Sequence, residues 1–149
     1  MQGVIFMGLQ ASGKSSFYLQ QFYDTHIRLN LDMLKTRHRE QLLFRACLTA
    51  KQPLVIDNTN PTLEDRQRYI PALQQQQFAI IGYYFSANLQ QSLARNQQRC
   101  GKACVPEAAI RATYAKLQRP SYQEGFTQLY YVQLNQGQFT VSDWCSDEV

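Results

Sequence analysis

The most specific chemistry in this chain lies in Gly8-Leu9-Gln10-Ala11-Ser12-Gly13-Lys14-Ser15. The spacing is G-x-x-x-x-G-K-[ST], a loop that wraps its backbone N–H groups around the phosphates of a nucleoside triphosphate. Gly8 and Gly13 carry no Cβ, which lets the loop turn those groups inward. Gln10, Ala11, Ser12 and Ser16 complete the expected nucleotide contacts. Lys14 is expected to reach the β- and γ-phosphates, and the Ser15 hydroxyl to ligate Mg²⁺. A helix starting near Lys14 would add unpaired N–H groups and the positive end of its dipole.

Two carboxylates and two arginines extend the candidate set. Asp32 follows the short apolar stretch Ile27-Arg28-Leu29. It can serve as the base that accepts a hydroxyl proton during phosphoryl transfer, or it can simply cap a helix. Asp57 ends the apolar run Leu54-Val55-Ile56, where it resembles the acid that holds Mg²⁺ in nucleotide-binding sheets; an ordinary strand-to-turn Asp is the alternative. Arg95 and Arg99 fall four apart, on one helical face. They suit a small lid closing over the transferring phosphoryl group, although spacing alone favours arginines that satisfy helix-end carbonyls and face solvent.

The elements that must position these residues follow from apolar patterning. Val4-Ile5-Phe6-Met7 precedes the glycine loop, and a helix through Phe17, Tyr18, Leu19 and Phe22 follows it. Further strands are expected at 27–30, 54–56, 78–85 and 129–134, with a short edge strand at 138–144. Helices are expected at 34–50, from Thr62 onward, at 88–98 and from Pro106 to about Leu117. Asp65 sits at capping-box distance from Thr62. Strands alternating with helices imply a single α/β domain over 1–149, its parallel sheet of about five strands covered on both faces. In such a sheet ligands bind beyond the carboxyl ends of the strands. That edge collects the glycine loop, Asp32, Asp57-Asn58-Thr59-Asn60 and Ser86.

Bulk properties narrow the class. The chain has 149 residues, 44% of them hydrophobic, and no apolar run near the ~20 residues that span a bilayer. The first strand begins almost at the N-terminus, so no signal peptide is expected and the setting is read as cytoplasmic. Net charge is +4, but all 15 basic residues precede Pro120, which gives that body +8 and favours polyanionic partners. Cys100 and Cys104 could hold a metal, yet spare cytosolic thiols are the simpler reading.

The run Leu54-Val55-Ile56-Asp57-Asn58-Thr59-Asn60-Pro61, with Arg66 and Tyr69 behind it, resembles the kinase domain of animal polynucleotide kinase/phosphatases. Arg95-Asn96-Gln97-Gln98-Arg99, then Gly101-Lys102-Ala103 and Val105-Pro106, is similar to the lid of the bacteriophage polynucleotide kinase. Asn30-Leu31-Asp32 matches that family's Asn-Arg-Asp, and Glu124-Gly125-Phe126 matches before the last parallel strand. The resemblance extends from about Gly3 to Leu134. It implies a P-loop kinase fold with a lid at about 95–106, and transfer of phosphate from ATP, with Mg²⁺, to a nucleic-acid 5′-hydroxyl. By that resemblance Lys14, Asp32 and Arg99 are catalytic, with Asp32 the base. Arg95 and Arg99 also contact the nucleotide, and Ser15 and Asp57 serve the metal. Lys35, Arg37, Asn58 and Asn60 are expected on the acceptor side. Leu31 replaces the family's Arg, Lys35 stands where the phage enzyme has Arg, and one extra residue separates Arg99 from Val105. A small-molecule kinase and a weakly catalytic nucleotide-binding partner are the competing readings.

Overall fold

Val4, Ile5, Phe6 and Met7 are all fully buried, as expected of a central parallel strand covered on both faces. A computed structural model describes residues 1–99, 101 and 104–145. The strands are β1 (Gln2–Met7), β2 (Ile27–Leu29), β3 (Leu54–Ile56), β4 (Ala79–Phe85), β5 (Gln128–Asn135) and β6 (Gln138–Asp143). They form one sheet in the order β2-β3-β1-β4-β5-β6. Every pairing is parallel except β5 with β6, an antiparallel hairpin at the edge. Among the described residues the sheet thus has six strands where about five were expected.

The helices are α1 (Lys14–Gln21), α2 (Leu31–Leu34), α3 (Arg37–Ala50), α4 (Leu63–Gln67), α5 (Ile70–Gln75), α6 (Leu89–Gln97) and α7 (Glu107–Lys116). Successive side chains of a strand point to opposite faces, and the two cores follow that period. Ile5 and Met7 pack with Phe44, Cys47 and Leu48 of α3 and with Ile70 and Leu73 of α5. Val4 and Phe6 pack instead with Phe17 and Tyr18 of α1 and with Phe22.

Two expected helices are each divided. The helix expected at 34–50 breaks at Lys35, whose φ is +76°; Thr36 then caps α3 by accepting from the Arg39 N–H. The helix after Thr62 breaks at Arg68-Tyr69, and Pro71 occupies the first turn of α5, where its missing N–H is harmless. The Thr62–Asp65 capping box is present. No described helix is long and apolar enough to cross a membrane.

A buried ion pair fastens one flank. Arg66 of α4 is fully buried, its Nε lies 2.9 Å from Oε1 of the nearly buried Glu124, and its Nη1 donates to the Gln118 carbonyl. Glu124 also caps its own turn by accepting from the Ser121 N–H.

Candidate active site

The glycine loop links β1 to α1. Gly8 N–H donates to the Thr59 carbonyl at 3.0 Å, which ties the loop to the segment after β3. Gly13 stands at the N-cap of α1 with φ +101°, a conformation that favours glycine, and a Cβ there would lie 3.0 Å from Leu134 and Phe139. No side chain caps this helix start, so its first N–H groups remain available to an anion. Ala11 also has positive φ, and Ser16 is exposed beside Ser15. Gln10 donates to Thr113 on α7 at 3.1 Å.

Lys14 is 8% exposed and curls back to donate to the carbonyls of Leu9 at 2.6 Å and Gly8 at 3.1 Å. Burial lowers its pKa to about 8, against the opposing influence of Asp57; Arg99 lowers it further and Asp32 raises it. Asp57, Arg99 and Asp32 thus all act on this one ammonium.

Asp57 is 1% exposed at the end of β3. Ser15 Oγ donates to its Oδ2 at 3.2 Å, so the residues expected at the metal already face one another. A hydroxyl beside a carboxylate fits Mg²⁺, which takes few protein ligands and completes its shell with water and phosphate. Among the described residues no three His, Cys, Asp or Glu side chains gather into a protein-only metal centre. Of the Cys100–Cys104 pair, Cys104 is an exposed free thiol, whereas Cys100 lies outside the described residues.

Asp32 occupies the first turn of α2 and is exposed. It does not cap that helix: Asn30 does, accepting from the Met33 N–H and donating to the Asp57 carbonyl. The alternative of a capping Asp is therefore removed. The helix is held from below by a network that sequence reading missed. Asn58 accepts from the Leu31 N–H at 3.0 Å and donates to Glu40 at 2.9 Å. The buried Glu40 also accepts from Tyr69 at 2.9 Å and from Arg37 at 3.0 Å. Burial and the Glu40 carboxylate push the Tyr69 phenol well above its usual range, so it stays a donor.

The acceptor-side set consequently divides. Lys35 is exposed at the end of α2. Arg37 and Asn58 are joined through Glu40, and Asn58 holds the Leu31 N–H of α2. Asn60 is a correction: it is 4% exposed, has φ +41°, and donates to the Phe6 carbonyl at 2.8 Å, which makes it a brace for β1. A polar residue after a strand reads as a ligand group until its burial is known.

On the opposite side, Arg95 of α6 donates to the Ala11 carbonyl at 3.1 Å and to the Leu134 carbonyl at 3.4 Å, joining α6, the glycine loop and β5. Beside it opens a polar cleft lined by Ser12, Ser86, Asn88, Gln91 and Asn135. Arg99 follows α6 and is exposed. The segment expected to form a lid is closed at its base by Asn96, buried and also missed, which donates to the Val105 carbonyl at 2.7 Å and accepts its N–H at 2.9 Å. Of the lid itself, Cys100, Lys102 and Ala103 lie outside the described residues.

A mostly parallel sheet, a phosphate loop at its carboxyl edge and a facing arginine helix define a P-loop kinase domain. The chain belongs to the AAA_33 family, an AAA domain that matches residues 4–120. A bifunctional polynucleotide phosphatase/kinase of Schizosaccharomyces pombe is 30% identical over 130 residues, or 83% of this chain. The chain spans 31% of that relative's length. Among solved structures, Kti12 of Chaetomium thermophilum in complex with ADP-AlF3 gives a TM-score of 0.70 at 10% identity, with 88% of each chain covered. A gluconokinase from Sinorhizobium meliloti 1021 gives 0.61 at 15% identity, covering 89% of this chain and 82% of its own. These structures share the fold.

Proposed function

We propose that this chain is an ATP-dependent kinase that phosphorylates a nucleic-acid 5′-hydroxyl, in a cytoplasmic setting. The observation that carries the reading is Asp32. It is an exposed carboxylate at the carboxyl edge of the sheet that does not cap its helix, and no side-chain hydrogen bond or ion pair of it is seen among the described residues. The relationship to the yeast phosphatase/kinase supports the acceptor class.

In this reading the triphosphate lies in the glycine loop, held by the N–H groups of α1 and by Lys14, with its nucleoside end toward the cleft beside Arg95. Asp32 accepts the proton of the 5′-hydroxyl as its oxygen bonds to the γ-phosphorus. The bond from that phosphorus to the β–γ bridging oxygen breaks, and ADP leaves. Arg95 and Arg99 neutralise charge on the equatorial oxygens. Ser15 and Asp57 would hold Mg²⁺, which when bound offsets charge on the β- and γ-oxygens. Lys35 and Arg39, exposed beside Asp32, would meet the acceptor's phosphates.

The test offers the pure protein labelled ATP, Mg²⁺ and a 5′-hydroxyl oligonucleotide. Label should reach the 5′ end, and acceptor binding should weaken steeply with salt as counterion release requires. Label on a small hydroxyl compound, with none on the oligonucleotide, would replace this reading by a small-molecule kinase.

A further inference from the structure

One residue at the loop has no assigned role. Arg28, in the middle of β2, sends its side chain across to the phosphate site. Its Nε donates to Asp57 Oδ2 at 2.7 Å, and its Nη2 donates to Ser15 Oγ at 2.9 Å. The guanidinium therefore contacts both side chains that would serve Mg²⁺. The Arg28 side chain is 26% exposed and that of Asp57 only 1%. The ring of Tyr18 lies 6.0 Å from the guanidinium carbon, at the outer limit of a cation–π contact.

We infer that Arg28 is the built-in cation of this metal site: it bridges Ser15 and Asp57 until nucleotide-bound Mg²⁺ displaces it. The inference rests on the reading of Ser15 and Asp57 as the metal's partners and deepens it into a control on metal entry. A nearly buried carboxylate without a counter-charge is expensive, and Arg28 supplies one in direct contact with Asp57. The Asp57 oxygen bonded by Arg28 also faces Ser15, so a metal between those two must take the place of the guanidinium. Arg28 has somewhere to go, being partly solvent-exposed with the Tyr18 ring beside its path. The two-armed guanidinium spans hydroxyl and carboxylate together, which a point charge on a flexible stem does not.

The consequence is a lowered apparent metal affinity. If the bridged form holds about nine-tenths of the population, metal binds about tenfold more weakly than to the open form. The experiment uses the full chain as wild type, Arg28→Gln and Arg28→Lys. Binding of Mn²⁺ in the presence of ADP is read from the paramagnetic resonance signal of the free ion, and metal-free ADP binding is measured separately. Arg28→Gln should bind Mn²⁺ about tenfold more tightly than wild type. Arg28→Lys, which keeps the charge and loses the bridge, should fall between them. Metal-free ADP affinity should change much less than Mn²⁺ affinity.

Equal Mn²⁺ affinity in wild type and Arg28→Gln overturns the inference while leaving the kinase reading intact. So does weaker binding in Arg28→Gln, which would make Arg28 an organiser of the ligands. A Lys variant matching wild type beside a tighter Gln variant would reduce the effect to net charge and also overturn the bridge. If Arg28→Gln does not fold, the Lys variant decides alone, and must bind Mn²⁺ more tightly than wild type. Absence of Mn²⁺–ADP binding in all three would sink the kinase reading and the inference together.

Discussion

Among the arginine–carboxylate pairs of the described residues, Arg66–Glu124 and Arg28–Asp57 differ in depth. Arg66–Glu124 is sealed, with side chains 0% and 2% exposed at 2.9 Å. Arg28–Asp57 is closer, at 2.7 Å, but its arginine is 26% exposed and sits at the nucleotide edge. A sealed pair cannot exchange partners without unfolding, so it behaves as a bolt between α4 and the turn before β5. The edge pair can exchange its cation for another, so it can take part in chemistry. Solvent access, more than distance, separates the two kinds.

Breaking the sealed pair should have the largest effect. Glu124→Gln leaves the Arg66 charge buried without its partner, and a loss of about 3–5 kcal/mol is expected in urea unfolding. A loss below about 1 kcal/mol would show that water reaches Arg66 and would erase the contrast.

Asp32 sharpens the comparison because it is a carboxylate at the same edge that forms no such pair among the described residues. Asp32→Asn should lower turnover at least about a hundredfold and leave the unfolding midpoint unchanged. The opposite pattern, normal turnover with lower stability, would make Asp32 a structural residue.

Between these extremes lies Glu40, buried and shared by Tyr69, Arg37 and Asn58. Tyr69→Phe removes one donor from a buried acceptor and should cost about 1–3 kcal/mol. If α2 depends on this network, turnover falls too, although Tyr69 lies behind the helix. A stability loss without any change in turnover would uncouple Glu40 from the site.

The smallest effect is one of pH. The pKa of Lys14 is lowered to about 8 in the nucleotide-free protein, and phosphates favour its charged form. Nucleotide binding should therefore take up a proton around pH 8, and affinity should fall as pH rises. From pH 7.5 to 8.5 the charged fraction falls about threefold, and affinity should follow. Lys14→Arg, which stays charged, should show no such fall by calorimetry.

The nucleotide side of the site was legible because its signals are local. Gly8, Gly13, Lys14 and Ser15 sit at fixed spacing in one turn, and Asp57 ends an unmistakable buried strand. Strand positions followed from apolar runs for the same reason. The acceptor side was harder, because the roles of Asn58, Asn60 and Arg37 depend on neighbours far away in sequence: Glu40, Phe6 and Tyr69. Arg28 lies within the expected strand at 27–30, and nothing near it in sequence announces a partner 29 residues on. The break at Lys35 had no warning glycine, because here a lysine takes the positive φ. Asn96 could have been suspected from a polar residue facing inward on an otherwise amphipathic helix.

The Asn96–Val105 clasp has a consequence for how such a domain can be altered. Two hydrogen bonds from a single buried amide fix both ends of the intervening segment, so the segment works as an exchangeable cassette. Its length can change while the flanking helices keep their register, since doubling a loop adds only about 0.6 kcal/mol of closure entropy. The extra residue relative to the phage pattern falls inside this cassette, where the frame can absorb it. Lid swaps between related domains should therefore be grafted at Asn96 and Val105, keeping the amide that closes them.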